Sequence, residues 1–223
     1  MTATLLPRLL SDATLAEIRT IMDGGPYLPG CQTEVGTAGP LKYDLEIDPT
    51  SAEAARATQA LVAALRDSGK FQAATWSEAM STPTFCCYEQ GMSYGEHTDN
   101  PLLGDPPMQL RCDLAVTICI DGAAAYDGGA LVIEAAAAPY RWKGEAGDCL
   151  IYPAGVQHRV ETVTGGRRRV VEFWVQSMVR DPIQRRILHD LKETLDELDG
   201  MSPAPPHLEA LRRSFFNLTR MWA

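Results

Sequence analysis

The segment YGEHTDNP, residues 94–101, holds one of only four histidines in the chain and places an aspartate two positions after it. On or beside a strand, residues i and i+2 project to the same side. The His97 imidazole and the Asp99 carboxylate can then share one small cation. A third ligand has to come from His158, His189 or His207. His158 follows YPAGVQ at the end of a strand-like run, whereas the other two lie on or beside helical segments near the C-terminus. Two histidines and one carboxylate form a facial triad that leaves one face of the ion open, a donor set suited to non-haem Fe(II) and O2. Zinc hydrolases use a similar set, so the triad alone does not name the metal.

A basic strand begins ten residues after His158, in HRVETVTGGRRRVVEFW. Arg168 shares strand parity there with Val170, Glu172 and Trp174. If that face lines the interior, a guanidinium sits among apolar groups, which is costly unless it meets an anion. A dicarboxylate cosubstrate supplies one, bound through the rigid two-pronged fork of arginine. Three consecutive arginines leave Arg167 and Arg169 as alternatives one register away.

The elements that must position these residues are mostly short strands. Up to residue 67 the chain reads as two amphipathic helices. The first spans 12–22 after Ser11 or Asp12, with Leu15, Ile18 and Ile21/Met22 on one face. The second spans 50–67 behind Pro49-Thr50-Ser51. A Gly/Pro-rich stretch between them reads as loop with one or two strands. From about residue 83 the character is β. FCCYEQG, DLAVTICID, YDGGALVIE, GDCLIYPAG and RRRVVEFWVQ read as strands separated by turn signals, and Leu114, Val116, Ile118 and Ile120 share one face. At Asp181-Pro182 a helix begins, with Ile183, Ile187, Leu191, Leu195 and Leu198 at helical spacing. After SPAPPH, a last helix carries Leu208, Leu211, Phe215, Leu218 and Trp222. The expected fold is mainly β with flanking α: a double-stranded β-helix (jelly roll) core, N-terminal helices and a C-terminal helical hairpin. The expected division is 1–180 for the core domain and 181–223 for the hairpin. The hairpin's apolar stripes are core first and a homodimer face second.

Composition bounds the function. The net charge of -9 argues against a nucleic-acid groove and against an anionic membrane surface. No apolar run approaches the length of a bilayer span. The first residues carry no long apolar leader with a small-residue cleavage site, which points to a cytoplasmic protein. The six cysteines contain no C-x-x-C pair and read as reduced thiols packed as small hydrophobes.

In STPTFCCYEQGMSYGEHTDNP, LRCDLAVTICI, YDGGALVI, GDCLIYPAGVQHRVETVTGGRRR and FWVQSMVRD the chain resembles the bacterial PKHD-type hydroxylases, Fe(II)- and 2-oxoglutarate-dependent dioxygenases related to the prolyl-4-hydroxylases. The resemblance covers nearly the whole chain. It implies Fe(II) ligation by His97, Asp99 and His158, and binding of the distal carboxylate of 2-oxoglutarate by Arg168, with Tyr88 as a second donor. Three protein ligands leave three positions for the cosubstrate and O2, and ascorbate is compatible as an accessory reductant. The implied reaction is hydroxylation of an unactivated C–H bond of a small-molecule or amino-acid-like substrate, with release of succinate and CO2.

Tyr94 and Trp174 are expected to line the pocket, and Arg111 to face its mouth as a substrate contact or a solvated rim residue. The chain departs from the family at Lys42-Tyr43-Asp44-Leu45-Glu46, at Cys87 and at Glu172. Glu172 is expected either to pair with an arginine such as Arg111 or to receive a cationic or hydroxyl-bearing part of the substrate. A non-catalytic iron/2-oxoglutarate sensor and a cupin-like metal-dependent hydrolase or isomerase are the competing readings.

Overall fold

The computed structural model describes residues 3–32, 41–203 and 205–223. Strands from distant parts of the chain interleave in two sheets. The larger sheet runs in the order Thr4–Leu6, Cys149–Pro153, Leu114–Cys119, Arg168–Ser177, Thr84–Tyr88, Leu45–Ile47, Tyr27–Pro29, with Ser77–Met80 beside the end of Arg168–Ser177. The smaller runs Tyr140–Trp142, Leu131–Ile133, His158–Val160, Ser93–His97, Lys42–Tyr43. The pairings are antiparallel, and the inward faces of both sheets share one apolar cluster that includes Leu131, Val160, Leu150 and Val170. This is the expected jelly-roll core, an open sandwich of two sheets.

The outer face of the larger sheet is covered by helices, so the central strand Leu114–Cys119 is buried along its whole length. Helix α1 (Asp12–Gly24) starts at Ser11, whose hydroxyl accepts from the Thr14 amide at 3.1 Å, and buries Leu15, Ile18, Ile21 and Met22. Helix α2 (Ala52–Asp67) starts at Ser51 in the same way, accepting from Ala54 at 3.1 Å, and buries Ala57, Leu61 and Leu65. These side chains form one cluster with Val116, Ile118, Val171 and Phe173 from the sheet. Both N-caps satisfy amide donors that a first helical turn otherwise leaves open.

Helix α3 (Gly69–Thr75) was not expected. Ser68 ends α2, and its hydroxyl then accepts from the Phe71 amide at 3.2 Å to start α3. A glycine in the first turn disfavours a helix on propensity alone, and the burial of Phe71 offsets that. The strand Ser77–Met80 was also unforeseen. Its four residues carry no clear alternation, and it forms because the end of Arg168–Ser177 offers an open edge.

Helix α4 (Pro182–Asp199) begins at Asp181, which accepts from the Ile183 and Gln184 amides at 2.8 and 3.0 Å, and α5 (Leu208–Trp222) packs back on it. Val179, Leu188, Leu195, Leu208 and Phe215 form their own cluster, and the Trp76 ring lies 6.0 Å from that of Phe215. The stripe expected on α4 is corrected at its start: Ile183 is 70% exposed and Ile187 40%, whereas Arg185, Leu188 and His189 are buried. Among the described residues no helix is long and apolar enough to cross a membrane. All six cysteines are free, and only Cys31 is exposed.

The turn that carries the chain from Tyr126–Gly128 into Leu131–Ile133 depends on two glycines. Gly128 and Gly129 have φ of +67° and +60°, and a Cβ on Gly128 would collide with the carbonyl oxygen of Thr162. This turn brings Ile133 into register with His158.

Candidate active site

His97 and His158 face each other across neighbouring strands of the smaller sheet, as Cα partners in register. The Nδ1 of His97 bonds the carbonyl of Gly95 at 2.8 Å, and the Nδ1 of His158 bonds that of Val156 at 3.0 Å. A carbonyl can only accept, so each Nδ1 carries a proton, and in the neutral ring Nε2 keeps its lone pair. Both Nε2 atoms converge on one carboxylate oxygen, Asp99 Oδ1, at 3.8 and 3.6 Å. One donor atom from each residue lies within 4.8 Å of the others, an arrangement that can hold a metal ion. Burial, with His158 alongside, lowers the pKa of His97 to about 4, so the ring is neutral at pH 7. Tyr94 stacks on it at 3.8 Å between ring centroids and 15° between planes. The same cavity is lined by Tyr94, Thr117, Tyr152, Glu172 and Trp174.

Of the three consecutive arginines, only Arg168 turns inward. Arg167 pairs with Asp23 at 2.7 Å on the surface, and Arg169 is closed on Asp121 at 2.8 Å and on Asp23 at 2.8 Å. Arg168 is 1% exposed, faces Tyr88 in register, and sits 4.8 Å over the centre of its ring. One guanidinium nitrogen and the Tyr88 hydroxyl are buried without a hydrogen-bond partner. Leaving such donors unmade costs about 1–3 kcal/mol each, so the pair is built to receive an acceptor. Burial pushes the Tyr88 phenol far above its usual pKa, which keeps it a donor.

The 2OG-Fe(II) oxygenase superfamily model matches residues 83–176, the span that holds His97, Asp99, His158, Tyr88 and Arg168. A PKHD-type hydroxylase of Hyphomonas neptunium is 36% identical over 221 residues, covering 98% of this chain and 97% of that protein. One from Synechococcus is 34% identical over 215 residues, 96% of each. The chain belongs to the PKHD-type hydroxylases. Among solved structures, a prolyl-4-hydroxylase of Pseudomonas putida covers 78% of this chain and 92% of its own, with a TM-score of 0.52 at 20% identity. A prolyl hydroxylase of Trichoplax adhaerens, solved with a hypoxia inducible factor peptide, covers 83% and 86%, with a TM-score of 0.55 at 16% identity. These two share the fold.

Two features of this PKHD-type hydroxylase differ from the sequence expectation. Arg111, expected at the mouth, lies outside the cavity: it donates to both oxygens of Asp113 at 2.7 Å and to the Ser177 carbonyl at 2.9 Å. Asp113 lies only two positions on, close enough to close that fork locally. The proposed Glu172–Arg111 pair is therefore not formed.

The second feature is a buried polar row that sequence reasoning treated only as a departure from the family. Lys42, Asp44 and Glu46 are 7%, 2% and 2% exposed, while Tyr43 between them is 61% exposed. The usual alternation is inverted, with charges inward. Lys42 pairs with Tyr94 in the smaller sheet and Glu46 with Cys86 in the larger, so this segment crosses from one sheet to the other. Lys42 is ion-paired with Glu46. Burial, with Glu46 and Glu172 nearby, raises Asp44 to about 7 against the pull of Lys42.

Proposed function

We propose that His97, Asp99 and His158 hold Fe(II), that Arg168 and Tyr88 hold the distal carboxylate of 2-oxoglutarate, and that the chain hydroxylates an unactivated C–H bond of a small-molecule or amino-acid-like substrate. Membership of the 2OG-Fe(II) oxygenases supplies the cofactor class: Fe(II), 2-oxoglutarate and O2. The observation that carries the residue assignment is the convergence of two Nε2 lone pairs on one Asp99 oxygen, in the same interior as a buried arginine with an open donor. Bound iron supplies O2 activation coupled to decarboxylation of 2-oxoglutarate to succinate.

The protein's own residues do the rest. The Gly95 and Val156 carbonyls fix both imidazole tautomers, and the Tyr94 ring holds the plane of His97. Arg168, buried and held over the Tyr88 ring, offers a preorganised cationic donor, and the Tyr88 O–H adds a second. Leu131, Val160 and Tyr152 wall the cavity and limit water. A cupin-like hydrolase would leave Arg168 and Tyr88 without a role. We read 1–180 as the oxygenase domain and 181–223 as a hairpin packed on it, working in the cytoplasm; the separate apolar cluster of α4 and α5 and the free cysteines support this.

Fe(II) and 2-oxoglutarate, mixed with the protein without O2, should give the visible metal-to-ligand charge-transfer band of a keto acid on iron. Its absence from folded, iron-loaded protein would overturn the assignment. Substrate-stimulated succinate release under O2 separates an enzyme from a sensor that binds both ligands without turnover.

A further inference from the structure

Glu172 lies in the middle of the inward face of Arg168–Ser177, two residues from Trp174 and four from Arg168. At strand spacing its Cα is roughly 13 Å from that of Arg168. It lines the same cavity as His97, Asp99 and His158. Its neighbours across the ladder are Thr84 and Thr117, neither of which can neutralise it. Among the described residues, its side-chain hydrogen bond is a long, weak one, from the Cys86 thiol at 3.8 Å.

Among the described residues no cation is ion-paired with Glu172. Arg111 is closed on Asp113, Lys42 is paired with Glu46, and Arg168 faces Tyr88. Lys42 and Arg168 reach Glu172 through charge alone, without an ion-pair contact, and a partly buried carboxylate gains further from a direct partner that a ligand supplies.

The cavity adjoins a second space. Lys42 and Trp174 line both it and a groove of about 450 Å³, whose walls include Ile47, Pro49, Ala55, Pro83, Phe85 and Leu103. The groove is mostly apolar, and Glu46 adds a carboxylate to it. An anionic arm entering here would meet Glu46 and Glu172, with Lys42 already engaged. An apolar arm ending in a cation would satisfy both walls and carboxylate.

We propose that Glu172 is the specificity-determining carboxylate of this hydroxylase, receiving the ammonium or guanidinium of a lysine- or arginine-like substrate whose remaining length lies in the groove. The inference rests on the metal and cosubstrate reading given above. The recognising chemistry is shared by free basic amino acids and by basic residues within a peptide.

Calorimetry on protein loaded with Mn(II) and 2-oxoglutarate, a redox-silent complex, tests this without turnover. The probes are L-lysine, L-arginine, their Nα-acetyl amides as peptide mimics, and the acetyl amides of norleucine and 6-hydroxynorleucine as neutral counterparts. At least one basic probe should bind about tenfold or more tighter than the neutral ones. Tighter binding of the acetyl amide than of the free amino acid assigns the cation to a peptide, and the reverse to a free amino acid. Glu172→Gln should lose that preference with 2-oxoglutarate affinity unchanged, and Glu172→Asp should keep part of it. Equal binding of norleucine or 6-hydroxynorleucine, no binding of any basic probe, or full affinity in Glu172→Gln would each overturn the proposal. Failure of the wild type to bind 2-oxoglutarate with Mn(II) would instead overturn the metal and cosubstrate reading.

Discussion

Val171, Phe173 and Val175 leave the strand Arg168–Ser177 on one side, and Arg168, Glu172 and Trp174 leave it on the other. The first set meets Leu61, Leu65, Phe71 and Ile18, side chains with no polar demands. The second shares its layer with Tyr88, two histidines, an aspartate and the row Lys42, Asp44, Glu46. Ten residues of one backbone thus serve two cores. The outer core stabilises by area and packing. The inner one holds donors and charges at positions where folding alone would not put them, and the outer core compensates for that.

The comparison breaks most sharply at the triad. His158→Ala should abolish succinate release and the charge-transfer band while the melting temperature stays within a few degrees of wild type. Comparable activity with the band intact would mean that the inner layer does not hold the iron. On the outer side, Phe173→Ala should cost about 3–5 kcal/mol in denaturant unfolding through the cavity it leaves. Protein that remains folded should still bind 2-oxoglutarate with near wild-type affinity. A smaller effect is expected from Arg168→Lys, which keeps the charge and loses the fork: 2-oxoglutarate affinity should fall by about 1.5–3 kcal/mol, read by titration of the charge-transfer band. Arg167→Lys should leave it unchanged, because Arg167 faces Asp23.

The smallest effect concerns Asp44 and pH. Its folded pKa, about 7, lies above the ordinary carboxylate value of 3.8. Between those values the folded state holds a proton that the unfolded chain has released, so this group's stabilisation is present at low pH and is lost as pH rises toward 7. Asp44→Asn removes that slope, and the variant should gain on wild type from pH 5 to pH 8 by an amount on the order of 2 kcal/mol. Parallel melting curves across that range would show that Asp44 is charged throughout.

What the sequence disclosed follows the same division. The outer core was readable because Leu114, Val116, Ile118 and Ile120 alternate, and α1 and α2 announce themselves by serine caps and periodicity. The pairing of His97 with Asp99 on one side was readable because a strand restricts direction, and the resemblance singled out His158 and Arg168, which the structure places beside that pair and in the interior. The row Lys42, Asp44, Glu46 was not readable. Parity puts either the charged or the apolar residues of that segment inside, and the hydrophobic prior selects the wrong set. The closure of Arg111 on Asp113 was not legible, because a fork of that kind depends on side-chain conformation, which spacing does not reveal. Helix α3 and the strand Ser77–Met80 are stabilised by partners far away in the chain, and so left no local signal.

The register that sets His158 opposite His97 has a consequence for how the protein is made. The two rings come from positions sixty-one residues apart, and Leu131–Ile133 pairs with His158–Val160 on the other side. Closing so long a loop is slow and repays its entropy only when the whole ladder forms. On an emerging chain, His97 and Asp99 leave the ribosome long before their partner and cannot template anything by themselves. On the ligand assignment proposed above, iron capture follows the topology instead of guiding it, and refolding rates should be the same with and without the ion.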